Sequence, residues 1–195
     1  MSWGMADEAA VAARWLATFG LPGPKMLADL LQLNNDLATH QLTPDTSSNT
    51  WSAAGDRMCP IITGSALNDA AHTLLSNEVL EFHNLTQPLL LLPFAASSAL
   101  ILGQSIALEW QGARLITDGK TIVIEGLAMD IEAPCMSLVK CSLTSIQSGT
   151  LATHSRAIID SRSRSVLSGF AQTTYAPATQ ESRMKGAGSG ANDND

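Results

Sequence analysis

Charge is the scarcest commodity in this chain of 195 residues: Asp, Glu, Lys and Arg make up 15% of it, against roughly 25% in ordinary soluble domains. So thin a charged surface points to exposed area covered by a partner chain or a second copy, and a homo-oligomer or a protein partner is expected. Basic residues are fewer than acidic ones, and the net charge is -7. That balance excludes a general nucleic-acid binder, which needs a basic stripe. Cysteine is sparse too. Cys59, Cys135 and Cys141 are odd in number and show no C-x-x-C spacing, which excludes a disulfide framework and a structural zinc site and predicts reduced, cytoplasmic thiols. The N-terminus lacks a basic segment followed by an apolar run, so no signal peptide is expected.

Long uninterrupted apolar runs are also missing. The segment 82–108 carries no formal charge and contains Leu89 to Leu92 and Leu100 to Leu102. Yet Pro88, Pro93, Ser97, Ser98, Gly103 and Gln104 break it, and a membrane span needs about 20 mostly apolar residues. The pattern predicts a buried strand followed by a short buried helix, and no membrane partner. What is present is a hydrophobic fraction of 45%, enough for one core of ordinary size.

Periodicity then assigns the elements. Ala9, Ala12, Ala13 and Leu16 form one stripe of a helix from about Met5 to Phe19, and Gly20 stops it. Pro22 and Pro24 bound a turn into a second helix carrying Met26, Leu27, Leu30, Leu31 and Leu33, which gives an N-terminal helical hairpin. Residues 41–58 have no apolar period and read as loop, with Trp51 as their anchor. Gly64-Ser65 is taken as the cap of a third helix through Leu67, Ala71, Leu74 and Leu75.

From Ile106 the period becomes two. Strands are predicted over Ile106 to Trp110, Leu115 to Thr117, Thr121 to Ile124 and Leu127 to Ile131, with Gln111-Gly112 and a two-residue Asp118-Gly119 hairpin between them. Ser137 to Leu143 and Arg156 to Asp160 follow as further strands, and Ser165 to Thr174 as a helix. The fold class is therefore α+β: a helical hairpin plus an antiparallel β-meander sheet with helices packed on one side. Residues 1–185 are expected to form one domain, and 186–195 a Gly-rich tail.

Three passages carry a family resemblance. They are Ser2-Trp-Gly-Met-Ala-Asp-Glu8 through Arg14-Trp15-Leu16 to Gly20-Leu-Pro-Gly23; Cys59-Pro60 with Gly64, Leu67, Asp69 and the apolar 88–93; and Thr174-Tyr175 to Asp195. Together they resemble an uncharacterised bacterial family known only as a domain of unknown function, of the 3726 type. The resemblance implies no activity, so no catalytic residue is carried over. Members of that family begin some twenty residues earlier, with another short helical segment, so this chain is expected to lack that segment or to start upstream of Met1.

Candidate chemistry is thin. Asp69 and His72 stand three apart and are expected to share a helix face, where a carboxylate orients an imidazole for acid/base work. Cys59 is a nucleophile candidate if it reaches His72. His40, His83 and His154 are too scattered for a metal, and neither metal nor cofactor is expected. The acidic excess sits in residues 1–140, whereas 141–195 holds Arg156, Arg162, Arg164, Arg183 and Lys185. In the ending, Arg183 is a candidate clamp for a carboxylate or phosphate, and Gly186 and Gly188 would permit close backbone approach to a ligand. Residues 174–185 are expected to dock on the body and 191–195 to stay mobile. Two functions stay open: a cytoplasmic, non-enzymatic protein binding a partner subunit or a small anion, and a small enzyme acting on a carboxylate-bearing metabolite.

Overall fold

The computed structural model describes residues 3–76, 78–145, 149–151 and 158–174. It has the α+β architecture that periodicity predicts: an eight-stranded, mostly antiparallel sheet with helices against it.

The helix pair is α1 (Trp3–Thr18) and α2 (Gly23–Asn34). Gly20 adopts φ 77°, and two amide bonds, Gly20 to the Ala17 carbonyl and Leu21 to the Leu16 carbonyl, close the end of α1. Only a residue free to turn left-handed completes this motif cheaply. The buried stripe of α1 is Ala9, Ala12, Ala13 and Leu16, and that of α2 is Met26, Leu27 and Leu30. Leu33, expected on that stripe, is exposed.

Residues 41–58 are not plain loop. They hold the end of the short α3 (Thr39–Leu42), then β1 (Pro44–Asp45) and β2 (Thr50–Ala53), and β2 runs parallel to β3 (Leu80–Thr86). Strands this short show no period, because β2 buries a single residue fully, Trp51. That ring is 1% exposed, lies 5.2 Å from the Phe82 ring, and donates Nε1–H to the Ser48 carbonyl at 2.8 Å.

The third long helix, α4 (Pro60–Asp69), begins four residues before the expected Gly64-Ser65 cap, with Cys59 at its N-cap and proline in its first turn. Gly64 is interior, not a cap. A Cβ there would lie 2.3 Å from two ring carbons of Phe94 on α5 (Leu92–Leu102), so the residue is glycine because the two helices touch at this point. One turn on, Ser98 Oγ donates to Asn68 Oδ1 at 2.8 Å across the same contact.

A 3-10 helix (Pro88–Leu91) leads into α5, and Leu89 to Leu92 are fully buried. The charge-free segment is thus strand plus core helix, as predicted. Among the described residues, no helix is long and apolar enough to cross a membrane.

The meander holds for three strands: β4 (Ser105–Trp110), β5 (Ala113–Thr117) and β6 (Thr121–Gly126). The Asp118-Gly119 turn is longer than two residues, since its closing pair is Thr117↔Ile122. Asp118 Oδ1 accepts the Lys120 and Thr121 amides, and the Thr117 hydroxyl donates to the Thr121 carbonyl. The expected strand at 127–131 is instead a helical turn, α6 (Ala128–Ile131), with Leu127 and Met129 exposed and Ile131 buried. Alternation over five residues does not separate a strand from one turn of helix.

The weakly patterned 137–143 lies inside the longest strand, β7 (Cys135–Thr144), which inserts between β3 and β4. The sheet order is β1-β2-β3-β7-β4-β5-β6-β8, where β8 is Thr150–Leu151. The described part of the expected strand 156–160 is not strand; its first two residues lie outside the described ones.

The helix α7 (Ser161–Thr174) starts earlier than expected because Asp160 caps it, accepting the Ser163 amide at 2.9 Å. It packs on α2, while α5 lies on β4 and β5 and α1 crosses α4 and α5. The boundary at 185/186 and the tail lie outside the described residues.

Candidate functional site

Cys59 has one feature of an activated thiol. It sits at the N-cap of α4, and the Ile62 and Ile61 amides aim at its sulfur, which lowers a thiol pKa. Burial works the other way and prevails. The side chain is 2% exposed, and desolvation pushes its thiol above the ordinary range. A buried neutral thiol is an inert one.

Asp69 is the last residue of α4 and His72 lies in the 3-10 helix that follows (Ala71–Ser76), so the two do not share one α-helical face as the spacing of three suggests. The Ala70 amide, bonded to the Ala66 carbonyl, closes the α-helix between them. Both side chains are exposed. The ten residues of α4 rise about 15 Å, which sets Cys59 at one end of the helix and His72 past the other. The three candidates are not brought together.

The remaining thiols differ from one another. Cys141 is fully enclosed in β7, and burial pushes it up to about 12. Cys135 is exposed; partial desolvation raises it while the Arg57 charge pulls it down. Arg57 itself donates to the Leu33 carbonyl at 3.1 Å, near the C-terminal end of α2, where a cation suits the helix dipole.

Among the described residues, two clefts bear on the site. One, of about 120 Å³ between α2 and α7, is lined by Lys25, Asp29, Asp160 and Arg162 among others. The other, of about 260 Å³, lies between the end of α5 and the Asp118 turn. Neither contains Cys59, Asp69 or His72. No group of three or more His, Cys, Asp or Glu among the described residues is arranged to hold a metal. Arg162 and Arg164 are exposed on α7, whereas Arg156, His154, Arg183, Gly186 and Gly188 lie outside the described residues.

A constellation that sequence reasoning missed runs across the sheet face away from the helices. Leu80, Cys141, Leu108, Leu115 and Ile124 form one cross-strand row pointing into the core. The next residue on each strand points outward, and in register these are Glu81, Lys140, Glu109, Arg114 and Glu125. Five charges of alternating sign therefore cross five adjacent strands. Arg114 reaches Glu109 at 2.6 Å and Glu125 at 3.8 Å, and Lys140 reaches Glu81 at 3.3 Å.

Their side chains are between 34% and 58% exposed, so the row is accessible. Exposed pairs stabilise a fold by only about 0–1 kcal/mol each, and opposite charges directly across adjacent strands favour this register. The signal in the sequence was the alternation of Glu109 with Leu108 and Trp110. It could not be extended, because a two-residue Asp118-Gly119 turn would set Arg114 opposite Val123 instead of Glu125.

Comparison with known proteins adds one finding. No curated protein and no solved structure matches the chain. Residues 1–59 match the model of a family described as a protein of unknown function (DUF3726). The uncharacterised family that the sequence resembles is thus met over α1, α2, β1 and β2, up to the thiol that caps α4.

Proposed function

We propose that this protein acts by binding another protein chain and not by catalysis. One observation carries the reading: the groups best suited to catalysis are dispersed, with Cys59 sealed at the start of α4, Asp69 in solvent at its last residue and His72 in solvent beyond it. A binding role also accommodates the low charge of the chain and an accessible row of ordered charges. The acidic balance favours a protein partner over nucleic acid. The proposed setting is the bacterial cytoplasm, on the strength of unpaired cysteines and the family resemblance.

The test is to immobilise the chain, pass native-host lysate over it, and measure both bound protein and consumed metabolites. The reading expects a stoichiometric protein complex, with a second copy or another chain, unaffected by Cys59→Ser or His72→Ala. Turnover of a metabolite that is lost in His72→Ala, with no protein bound, refutes it.

A further inference from the structure

We infer that Cys135 is a modification site, at which a small anionic disulfide forms a reversible mixed disulfide beside Arg57 and Thr86. The site stands whether or not the chain binds another protein. Cys59 and Cys141 are buried, whereas Cys135 is exposed. An exposed thiol alone is no site, but two further groups converge on this one.

Register places them together. Thr86 lies directly across from Cys135 in the pairing of β3 with β7, as Leu85 does from Met136. On the other side of β3, Met58 bridges Leu85. Side chains alternate along extended backbone, so Met58, Leu85 and Met136 take one side and Arg57, Thr86 and Cys135 the other. Backbone bonds fix the three segments here. The Met58 amide donates to the Asn84 carbonyl at 2.9 Å, the Thr86 amide to the Met58 carbonyl at 3.2 Å, and the Gln87 amide to the Pro134 carbonyl at 2.9 Å. Asn84 and Gln87, with φ 51° and 45°, bracket Leu85 and Thr86 in a left-handed conformation that residues with side chains adopt at a cost.

Both neighbours have bonding capacity left. The Thr86 side chain is 1% exposed, and its hydroxyl has no hydrogen-bond partner among the described residues. Buried donors are rarely left in that state. The side chain across from it is the Cys135 thiol, a weak acceptor while neutral and a strong one as a thiolate. The hydroxyl is therefore satisfied when the sulfur ionises. Arg57 is half-buried, donates from Nη2 to the Leu33 carbonyl, and has no partner at Nε among the described residues. Its charge acts on Cys135, and its fork keeps donors for an anion brought to that sulfur.

The disulfide partner has to come from outside the fold. Cys141 lies six residues along β7, about 20 Å away. Cys59 is separated from Cys135 by β3, which puts it two strand spacings or about 9.6 Å off. A disulfide tolerates about 7 Å between Cα atoms. In the exchange, the Cys135 thiolate attacks one sulfur of the reagent. A new S–S bond forms as the reagent's own S–S bond breaks, and the departing half takes up the proton that Cys135 released. The protein thiol is oxidised and half of the reagent is reduced, and a free small thiol reverses the step.

The sign of the reagent separates this local device from general reactivity. A chain of net charge -7 repels anions and attracts cations at long range. A preference for an anionic disulfide therefore has to arise beside the sulfur.

The full chain, reduced beforehand, is treated with oxidised glutathione, which is anionic, or with cystamine, which is cationic. Adducts are timed by mass spectrometry and located by peptide mapping, and each rate is divided by that of free 2-mercaptoethanol with the same reagent. A single adduct on Cys135 is expected, with oxidised glutathione preferred at least about tenfold. Arg57→Gln should reduce that preference to about twofold or less, and Arg57→Lys should retain it. Thr86→Val, which removes the hydroxyl at nearly constant shape, should slow both reagents alike by about threefold or more. Should a variant not fold, a salt series on the wild type stands in, and the preference should shrink as salt screens Arg57.

A wild type with no preference or with a preference for cystamine overturns the inference. So does a preference that survives Arg57→Gln or is indifferent to salt, a wild-type rate in Thr86→Val, or an adduct on Cys59 or Cys141 in the native chain. None of these results bears on whether the chain captures a protein partner.

Discussion

Gly64→Ala is the sharpest probe of how the helix layer is held. Propensity alone says that the change stabilises, since alanine is favoured over glycine inside a helix by about 0.8–1.0 kcal/mol. Packing says the reverse. The new methyl would lie 2.3 Å from Phe94 Cδ2 and Cγ and 2.9 Å from its Cβ. Carbon atoms rest at about 3.5–4.0 Å, so the ring must retreat by about 1.2 Å. Phe94 is 3% exposed within the core cluster and has little room to move.

Overpacking of this kind costs about 1–3 kcal/mol. After the propensity gain, we expect a net loss of up to about 2 kcal/mol, or a Tm lower by up to about 8 °C for a chain of this size. Urea unfolding followed by the fluorescence of the four tryptophans gives the number. Phe94→Ala alone should lose about 3–5 kcal/mol, but in the Gly64→Ala background the clash is gone, so the two changes should not add. A Gly64→Ala protein as stable as wild type, with additive behaviour in the cycle, would refute the claim that α4 and α5 touch here.

Three further outcomes are expected. Trp51→Ala should lose about 3–5 kcal/mol, because the ring is enclosed and stacked on Phe82; a loss below about 1 kcal/mol would show that β2 is not docked. Burial pushes the Asp118 carboxyl up, but the bonds from the Thr121 and Lys120 amides and the Thr121 hydroxyl together hold it below the usual carboxylate range. Its stabilisation is therefore present above the unfolded value of about 3.9 and disappears as pH falls through the lower folded value. Asp118→Asn should be less stable than wild type at neutral pH, with the gap closing below about pH 4; a gap that is constant with pH contradicts this. In thiol labelling of the native protein, Cys135 should react and Cys59 and Cys141 should wait for denaturant; rapid labelling of two or three thiols would contradict their burial.

Local chemistry makes much of this fold readable in the sequence. The Ala9, Ala12, Ala13, Leu16 stripe and the Gly20 stop placed α1, and the prolines around the charge-free segment separated β3 from α5. Misreadings arose where a local pattern had two physical meanings. Gly64 suits a cap and also a close helix contact, and only the position of Phe94 distinguishes them. Residues 127–131 alternate like a strand but make one helical turn, with the Trp110 indole donating to the Asp130 carbonyl at 2.8 Å.

The candidate site suffered most from the same ambiguity. Asp69 and His72 share a face only if one α-helix runs through both, and the Ala70 cap ends it between them. The charged row was illegible for a different reason. Its five members come from strands separated by up to 59 positions in sequence, Glu81 to Lys140, and their register depends on the length of the Asp118 turn.

The most direct test of the account is capture from native-host lysate on the immobilised chain, with bound protein and consumed metabolites measured together. A binding role predicts a stoichiometric protein complex that Cys59→Ser and His72→Ala leave unchanged. Turnover of a metabolite that His72→Ala abolishes, with no protein bound, would contradict it.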